Sequence, residues 1–240
     1  MERTPVPTWE TIGEETWDRP LRLRFLGGTM HLRRIRPRDD DYDKVIDLRY
    51  RGFVESGFID PRRTGRAAMR LERDEESIIL GLFRRRRLHA TVTLNTISRR
   101  FPGMAMELDK KVVVRHAHFR DPGVLEITKL VVDHGTRGGR PALALLFASS
   151  MIGRVLGKLH LWQVSRDIPS DVSWRVGLGF DYSVSGPFMD ADLNQMPSRV
   201  GYLYLPSATV NPRVPGFIRE LYRDALSAPL DSEPTEAAGA

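Results

Sequence analysis

The sequence predicts an α+β fold: a single domain on a mixed, mostly antiparallel sheet flanked by helices. Three observations carry this. An apolar run from Leu125 to Val132 leads into a glycine-bearing basic loop and then a long apolar helical pattern ending near Lys158. Residues 21–35 alternate apolar and polar side chains around a glycine turn, and two strand-like runs, 77–83 and 88–95, flank an arginine turn, so both stretches read as hairpins. Between residues 20 and 226 strand and helix patterns are intermixed, with no internal repeat and no linker-like segment.

Residues 1–19 are polar and proline-bearing and read as a flexible N-terminal segment. In residues 21–35, Leu21, Leu23 and Phe25 share one side, Arg22 and Arg24 the other, and Gly27 and Gly28 form the turn. The acidic cluster at 39–43 precedes a helical pattern with Ile46, Tyr50 and Phe53 on its apolar face. That cluster suits helix capping and meets the helix dipole, and Gly57 stands where the helix should end. Residues 59–73 are basic and contain Pro61 and Gly65, which predicts an irregular loop able to cover a pocket. Strands over 77–83 and 88–95 flank Arg84 to Arg87, which read either as a solvated tip or as a docking patch. A connection over 97–103 and a strand over 111–116 lead to the turn signal Asp121-Pro122-Gly123.

Beyond the long helix, the pattern gives a strand over 159–165 and a helix over 167–176 opened by Pro169, Ser170 and Asp171. A glycine-rich run at 177–182 enters another strand. A polar loop over 190–198, a short strand over 201–205 and a helix over 215–226 complete the domain. Residues 227–240, rich in Pro, Ser, Glu and Ala, read as a disordered tail.

Composition narrows the function classes. With no cysteine there is no disulfide framework, thiolate metal site or cysteine nucleophile. The six histidines show no paired metal-ligand spacing; His116 and His118 alternate as exposed strand residues would. No metal is expected. No apolar run approaches the ~18 residues of a membrane span, and the N-terminus lacks an apolar signal core, so a cytoplasmic setting is expected. A net charge of +6, carried mainly by arginine, favours an acidic partner or a phosphorylated cofactor. A nucleic-acid-binding module remains a third reading, but the basic residues sit in turns rather than on a helix with interleaved aromatics.

The loop at 134–140 carries three glycines and two arginines, and Pro141 occupies a first helical position that tolerates proline. Backbone N–H groups at such a turn converge with the positive end of the helix dipole, a site for phosphate. The same strand–turn–helix unit also occurs widely with nothing bound.

The order of elements resembles the GNAT acyltransferase superfamily. RGGRPA, from Arg137 to Ala142, is similar to its pyrophosphate loop, Arg/Gln-x-x-Gly-x-Gly/Ala, with Arg140 in place of the middle glycine. WRVGLGF, from Trp174 to Phe180, resembles the later motif of that superfamily, with Arg175 where a proton-donating tyrosine often stands. LEITKLVV is similar to the Glu-x-Ser/Thr-Arg-Phe/Leu-x-Val segment of acyl-homoserine-lactone synthases, matching Glu126, Thr128 and Lys129. LRYRGF resembles their early helix, matching Arg49 and Phe53, while Thr93 takes the place of an arginine. The pattern sits better with the related long-chain N-acyl amino acid synthases. The resemblance spans roughly residues 30 to 205.

It implies a GNAT-like domain over residues 20–226 and transfer of an acyl group from a thioester to an amine. An acyl-CoA or the phosphopantetheine of an acidic acyl carrier protein would be the donor, and an amino acid or similar small amine the acceptor. An acetyl-CoA-dependent N-acetyltransferase is the alternative. Glu126 is the candidate base and Tyr182 the candidate acid for the leaving thiol. The resemblance implies an oxyanion donor among the backbone N–H groups near Val131 and Val132. Arg137, Gly138, Gly139, Arg140 and Ala142 would hold the donor phosphate. Arg49, Phe53, Thr93, Asn95, Thr128 and Lys129 are candidate acceptor-binding residues, with Arg49 suited to a two-pronged contact to a carboxylate. Strict alternation places Glu126 and Thr128 on one face of the strand, with Ile127 and Lys129 on the other unless a bulge intervenes.

Overall fold

The computed structural model describes residues 21–25, 28–96, 123–136, 140–190 and 196–227. The calls on the N-terminal segment, on the connection and strand at 97–116, on the turn at Asp121 and on the tail fall outside these residues.

Eight described strands form one sheet: β1 (Leu21–Phe25), β2 (Gly28–Ile35), β3 (Ile78–Arg84), β4 (Arg87–Thr96), β5 (Val124–Val132), β6 (His160–Arg166), β7 (Phe188–Asp190) and β8 (Met196–Tyr204). Their order across the sheet is β1-β2-β3-β4-β5-β6-β8-β7. Every neighbouring pair is antiparallel except β5 and β6. That one parallel pair needs a crossover, supplied by the long helix. The helices are α1 (Tyr42–Glu55), α2 (Arg140–Val155), α3 (Pro169–Val176), α4 (Leu205–Ala208) and α5 (Gly216–Ser227). No helix among the described residues is long and apolar enough to cross a membrane.

The two faces of the sheet bury different helices. On one, Val45, Ile46 and Leu48 of α1 pack with Ile35, Ile79, Phe83 and Val131. On the other, Leu145, Ala148 and Ile152 of α2 pack with Leu80, Val92, Leu94, Leu125, Ile127 and Leu161. Spacing alone predicts one apolar face on α2. In the fold it is buried around most of its girth, because α5 covers the outer side through a Phe147, Met151 and Ala225 cluster. Ser149 and Ser150 are buried there because each hydroxyl donates to the carbonyl four residues back, at 2.7 and 2.9 Å. The helix stops at Val155, short of Leu159.

Two glycines set α1 against the sheet. A Cβ at Gly52 would lie 2.3 Å from Val131 Cγ1, so only glycine lets the helix approach β5 this closely. Gly57, at φ +72°, ends the helix: its N–H donates to the Val54 carbonyl, and the Phe58 N–H to the Phe53 carbonyl at 2.9 Å. The Phe53 and Phe58 rings meet edge-on at 5.5 Å across that cap. The acidic N-terminus works differently from the expectation. Asp41 is the N-cap residue but makes no capping bond; its carboxylate pairs with Lys44 and Arg33.

Candidate active site

The strands β5 and β6 run together only over Val124–Glu126 and His160–Trp162, after which their ladder stops. β6 continues to pair with β8 through Arg166, and β5 with β4 through Val132. Beyond Glu126 the sheet is therefore split. The cleft on the α2 side of the split is lined by Val92, Ile127, Leu130, Leu146, Gln163, Trp174, Leu178 and Phe180. Its free volume is about 10 Å³, room for about one water molecule. Trp174, Leu178 and Phe180 come from the WRVGLGF segment, so this motif walls the cleft.

A bulge in β5 lies beside the split. Thr91 faces Val131 and Thr93 faces Thr128, so three steps on β5 oppose two on β4. Lys129 absorbs the extra residue in a left-handed conformation, φ +49°. Alternation had set Lys129 opposite Glu126 and Thr128. The bulge instead turns it to their face, where its ammonium lies 5.9 Å from the Phe53 ring centroid. Leu130 is left on the α2 side, in the cleft wall.

The α1 face at this point is polar and buried. Arg49 is fully buried. One terminal nitrogen donates to Asp74 Oδ2 at 2.6 Å and to the Met69 carbonyl at 3.1 Å. The other donates to Asp74 Oδ1 at 3.2 Å and Thr93 Oγ1 at 2.7 Å. Its fork, expected to meet an acceptor carboxylate, is therefore occupied by Asp74. Tyr42 donates to the same carboxylate at 2.6 Å. Burial, with the hydrogen bond to Asp74, holds the Tyr42 hydroxyl well above its ordinary pKa. Next to this group, Ser77 Oγ donates to Asn95 Oδ1 at 2.6 Å, and Asn95 Nδ2 to Thr128 Oγ1 at 3.1 Å. Asn95 faces Glu126 across β4 and β5.

Glu126 is buried at the point of divergence. The fold supplies Arg73, whose guanidinium lies 3.2 Å from Glu126 Oε2. Arg73 and Asp74 belong to one 3₁₀ turn, Glu72–Glu75, which begins at the end of the 59–73 region expected to form an irregular loop.

Tyr182 is buried in the α2-side core. Its hydroxyl oxygen accepts from Gln163 Nε2 at 3.1 Å and Ser165 Oγ at 2.8 Å. Burial raises its pKa, with Arg175 and the two hydrogen bonds opposing. Since Gln163 also lines the cleft, the phenol is one hydrogen bond from it.

At the donor end, α2 begins at Arg140, with Ala142 buried in its first turn and Val131 and Val132 ending β5 just before it. Arg137, Gly138 and Gly139 lie outside the described residues. Asp133, buried after β5, receives Arg87 at 2.6 Å and Arg51 at 3.4 Å. These contacts draw the arginine turn between β3 and β4 to the edge of the sheet where α2 starts.

The sequence-derived candidates Arg49, Phe53, Thr93, Asn95, Glu126, Thr128 and Lys129 thus converge on one face beside the split. Tyr182 stands apart, across the cleft. The sequence reading missed Tyr42, Arg73, Asp74, Ser77, Gln163 and Ser165. Arg73 and Asp74 sit in the charged run ERDEE, which from sequence alone looks like any solvated turn.

The family model of the N-acyl amino acid synthase FeeM matches residues 44–158. The structure of FeeM, an N-acyl amino acid synthase from uncultured soil microbes, superposes with a TM-score of 0.59 at 18% identity, covering 79% of this chain and 94% of that one. A CoA-dependent acyl-homoserine lactone synthase, BjaI, with MTA, gives 0.56 at 16% identity, covering 79% and 84%. An N-acetyltransferase from Staphylococcus aureus Mu50 gives 0.50 at 13% identity, covering 73% and 98%. No curated protein sequence matches the chain. The fold is GNAT-like, and the family match identifies an acyltransferase. Within that class, the chain resembles the N-acyl amino acid synthases and the acyl-homoserine lactone synthases.

Proposed function

We propose that the chain transfers an acyl group from a CoA or carrier-protein thioester to the amine of an amino acid or similar small acceptor. The observation that carries this is the split between β5 and β6, with a bulge on one edge and buried Glu126 at its root. A thioester lying in the split would have its carbonyl beside backbone groups of β5 that β6 does not engage, the place for an oxyanion donor near Val131 or Val132. Glu126 takes the proton of the acceptor ammonium. The amine lone pair then forms the C–N bond, the C–S bond breaks, the thiolate takes a proton from Tyr182, and the second proton shed by the newly acylated nitrogen passes through solvent to restore the Tyr182 phenol. Thr128, Asn95, Phe53 and Lys129 face the acceptor. Thr93 and Arg49 support it from behind. The loop at 137–140 and Ala142 hold the donor phosphate at the start of α2.

An acidic acyl carrier protein is the donor partner that suits Arg51 and Arg84 to Arg87, gathered at this edge. Arg99 and Arg100, counted in the same patch from sequence, lie outside the described residues.

The narrow cleft favours the second reading, an acetyl-CoA-dependent N-acetyltransferase, since of the acyl groups an acetyl requires the least widening of a space that holds about one water molecule. Thiol release from acyl-CoA and acyl-carrier donors of increasing chain length, scanned against amino acids and simple amines, decides between them. Mass spectrometry of the product names the bond. Long-chain amide product supports the first reading, and acetyl amide alone the second. No thiol release from any thioester defeats both. If a carrier protein is the donor, its Michaelis constant rises with ionic strength; a constant value removes the docking patch.

A further inference from the structure

The acceptor end of the site holds several cations, and the structure separates them. Arg49 is fully buried with its fork on Asp74 and Thr93. Arg166 is engaged by Asp171 at 2.8 Å and by the Ser56 carbonyl at 3.3 Å. Lys129 lies against the Phe53 ring. Arg73 differs in three respects. Its side chain is 21% exposed, it reaches Glu126 Oε2 at 3.2 Å, and it stands on a turn that the protein anchors from beneath. The anchor is the neighbouring Asp74, held by both Arg49 nitrogens, by the Tyr42 hydroxyl and by the Leu71 N–H. The Thr96 carbonyl, 3.5 Å away, steadies the guanidinium further.

An ion pair closed at this distance at the rim of a site is complementary to a zwitterion. An α-amino acid carries an ammonium and a carboxylate on one carbon. Laid against the pair, its ammonium meets Glu126 and its carboxylate meets the planar fork of Arg73. We infer that Arg73 recognises the acceptor's carboxylate, and that opening the Arg73–Glu126 pair by this carboxylate readies Glu126 for the amine. The inference deepens the proposed function and rests on it. It makes the enzyme selective for free α-amino acids over amines of the same shape that lack the carboxylate. A simple amine has nothing to offer Arg73 in exchange for Glu126, and would leave a charged group poorly paired.

The test compares the α-amino acid that the wild type acylates fastest with the carboxamide of the same amino acid. Thiol release is followed for the wild type, Arg73→Met and Arg73→Lys, with thermal melts of all three. The wild type should prefer the acid by about 10²-fold in kcat/KM. Arg73→Met should bring the two acceptors within about threefold of each other, by raising KM for the acid and by raising kcat/KM for the carboxamide, which no longer has to part Glu126 from a cation. Arg73→Lys, keeping a point charge without the fork, should recover part of the preference. If Arg73→Met does not fold, Arg73→Lys carries the test through an acid KM raised about tenfold and a narrowed preference for acid over carboxamide. Equal loss on both acceptors in the folded variants makes Arg73 merely structural and overturns the inference. So does a wild type that acylates acid and carboxamide alike, although acyl transfer itself then stands. A wild type that releases no thiol from any thioester overturns the inference together with the function it rests on.

Discussion

Asp74→Asn probes the buried group that joins α1, β4 and the 72–75 turn. Asp74 and Arg49 are 1% and 0% exposed, so solvent screens neither. The wild-type carboxylate accepts from both Arg49 nitrogens, from Tyr42 and from the Leu71 N–H. Asparagine keeps the shape but turns an NH₂ toward a guanidinium or a phenol that needs an acceptor. It also leaves the Arg49 charge uncompensated. Breaking one partner of such a pair costs about 3–5 kcal/mol. The loss of one or two charge-assisted hydrogen bonds, at about 1.5–3 kcal/mol each, reaches the same range. For a domain of this size, about 2–4 °C of Tm per kcal/mol converts this to a fall of ~6–20 °C. Urea unfolding followed by far-UV circular dichroism should show a lower midpoint at unchanged slope. Replacing Arg49 and Asp74 together by apolar residues of similar volume should recover part of the loss, since no charge is then left alone. A midpoint for Asp74→Asn within about 0.5 kcal/mol of the wild type would show that the pair does not hold the turn.

Three further outcomes are expected. Glu126→Gln should slow turnover by about 10²-fold or more if Glu126 takes the amine's proton, and an unchanged single-turnover rate removes it from the chemistry. Tyr182→Phe should lower kcat with little change in KM, most for donors with poor thiol leaving groups; equal kcat across donors would leave Tyr182 only its packing role. His89 is held below its ordinary pKa of 6.5, chiefly by burial and then by the Arg87 charge. The unfolded chain therefore takes up the proton first as pH falls. This contribution to stability is fully present above 6.5 and is lost as pH drops from there toward the lowered folded value. Denaturation midpoints of His89→Gln should fall less steeply than wild type below that pH, and parallel curves would show that His89 contributes nothing.

The sequence by itself determined the class of fold, the order of most elements and the neighbourhood of the site. These features are local. Alternation marked the first hairpin, apolar runs around an arginine turn marked the second, three-and-four spacing marked α1 and α2, and glycine with proline marked their ends. Tertiary structure decided which groups are available for chemistry. Arg49 looked ready to bind a carboxylate, and only the fold showed Asp74 already there. The face of Lys129 stayed open between strict alternation and a bulge, because a bulge depends on the partner strand's register, which no property of the LEITKLVV segment records. Arg73 was invisible in a charged run until the turn carrying it folded back on β5. The physical reason is common to all three. Periodicity reports how a segment lies relative to its own axis, whereas the partner of a buried charge is chosen by the whole packed domain. A buried charge must be paired, and which residue pairs with it is settled only when distant segments close around it.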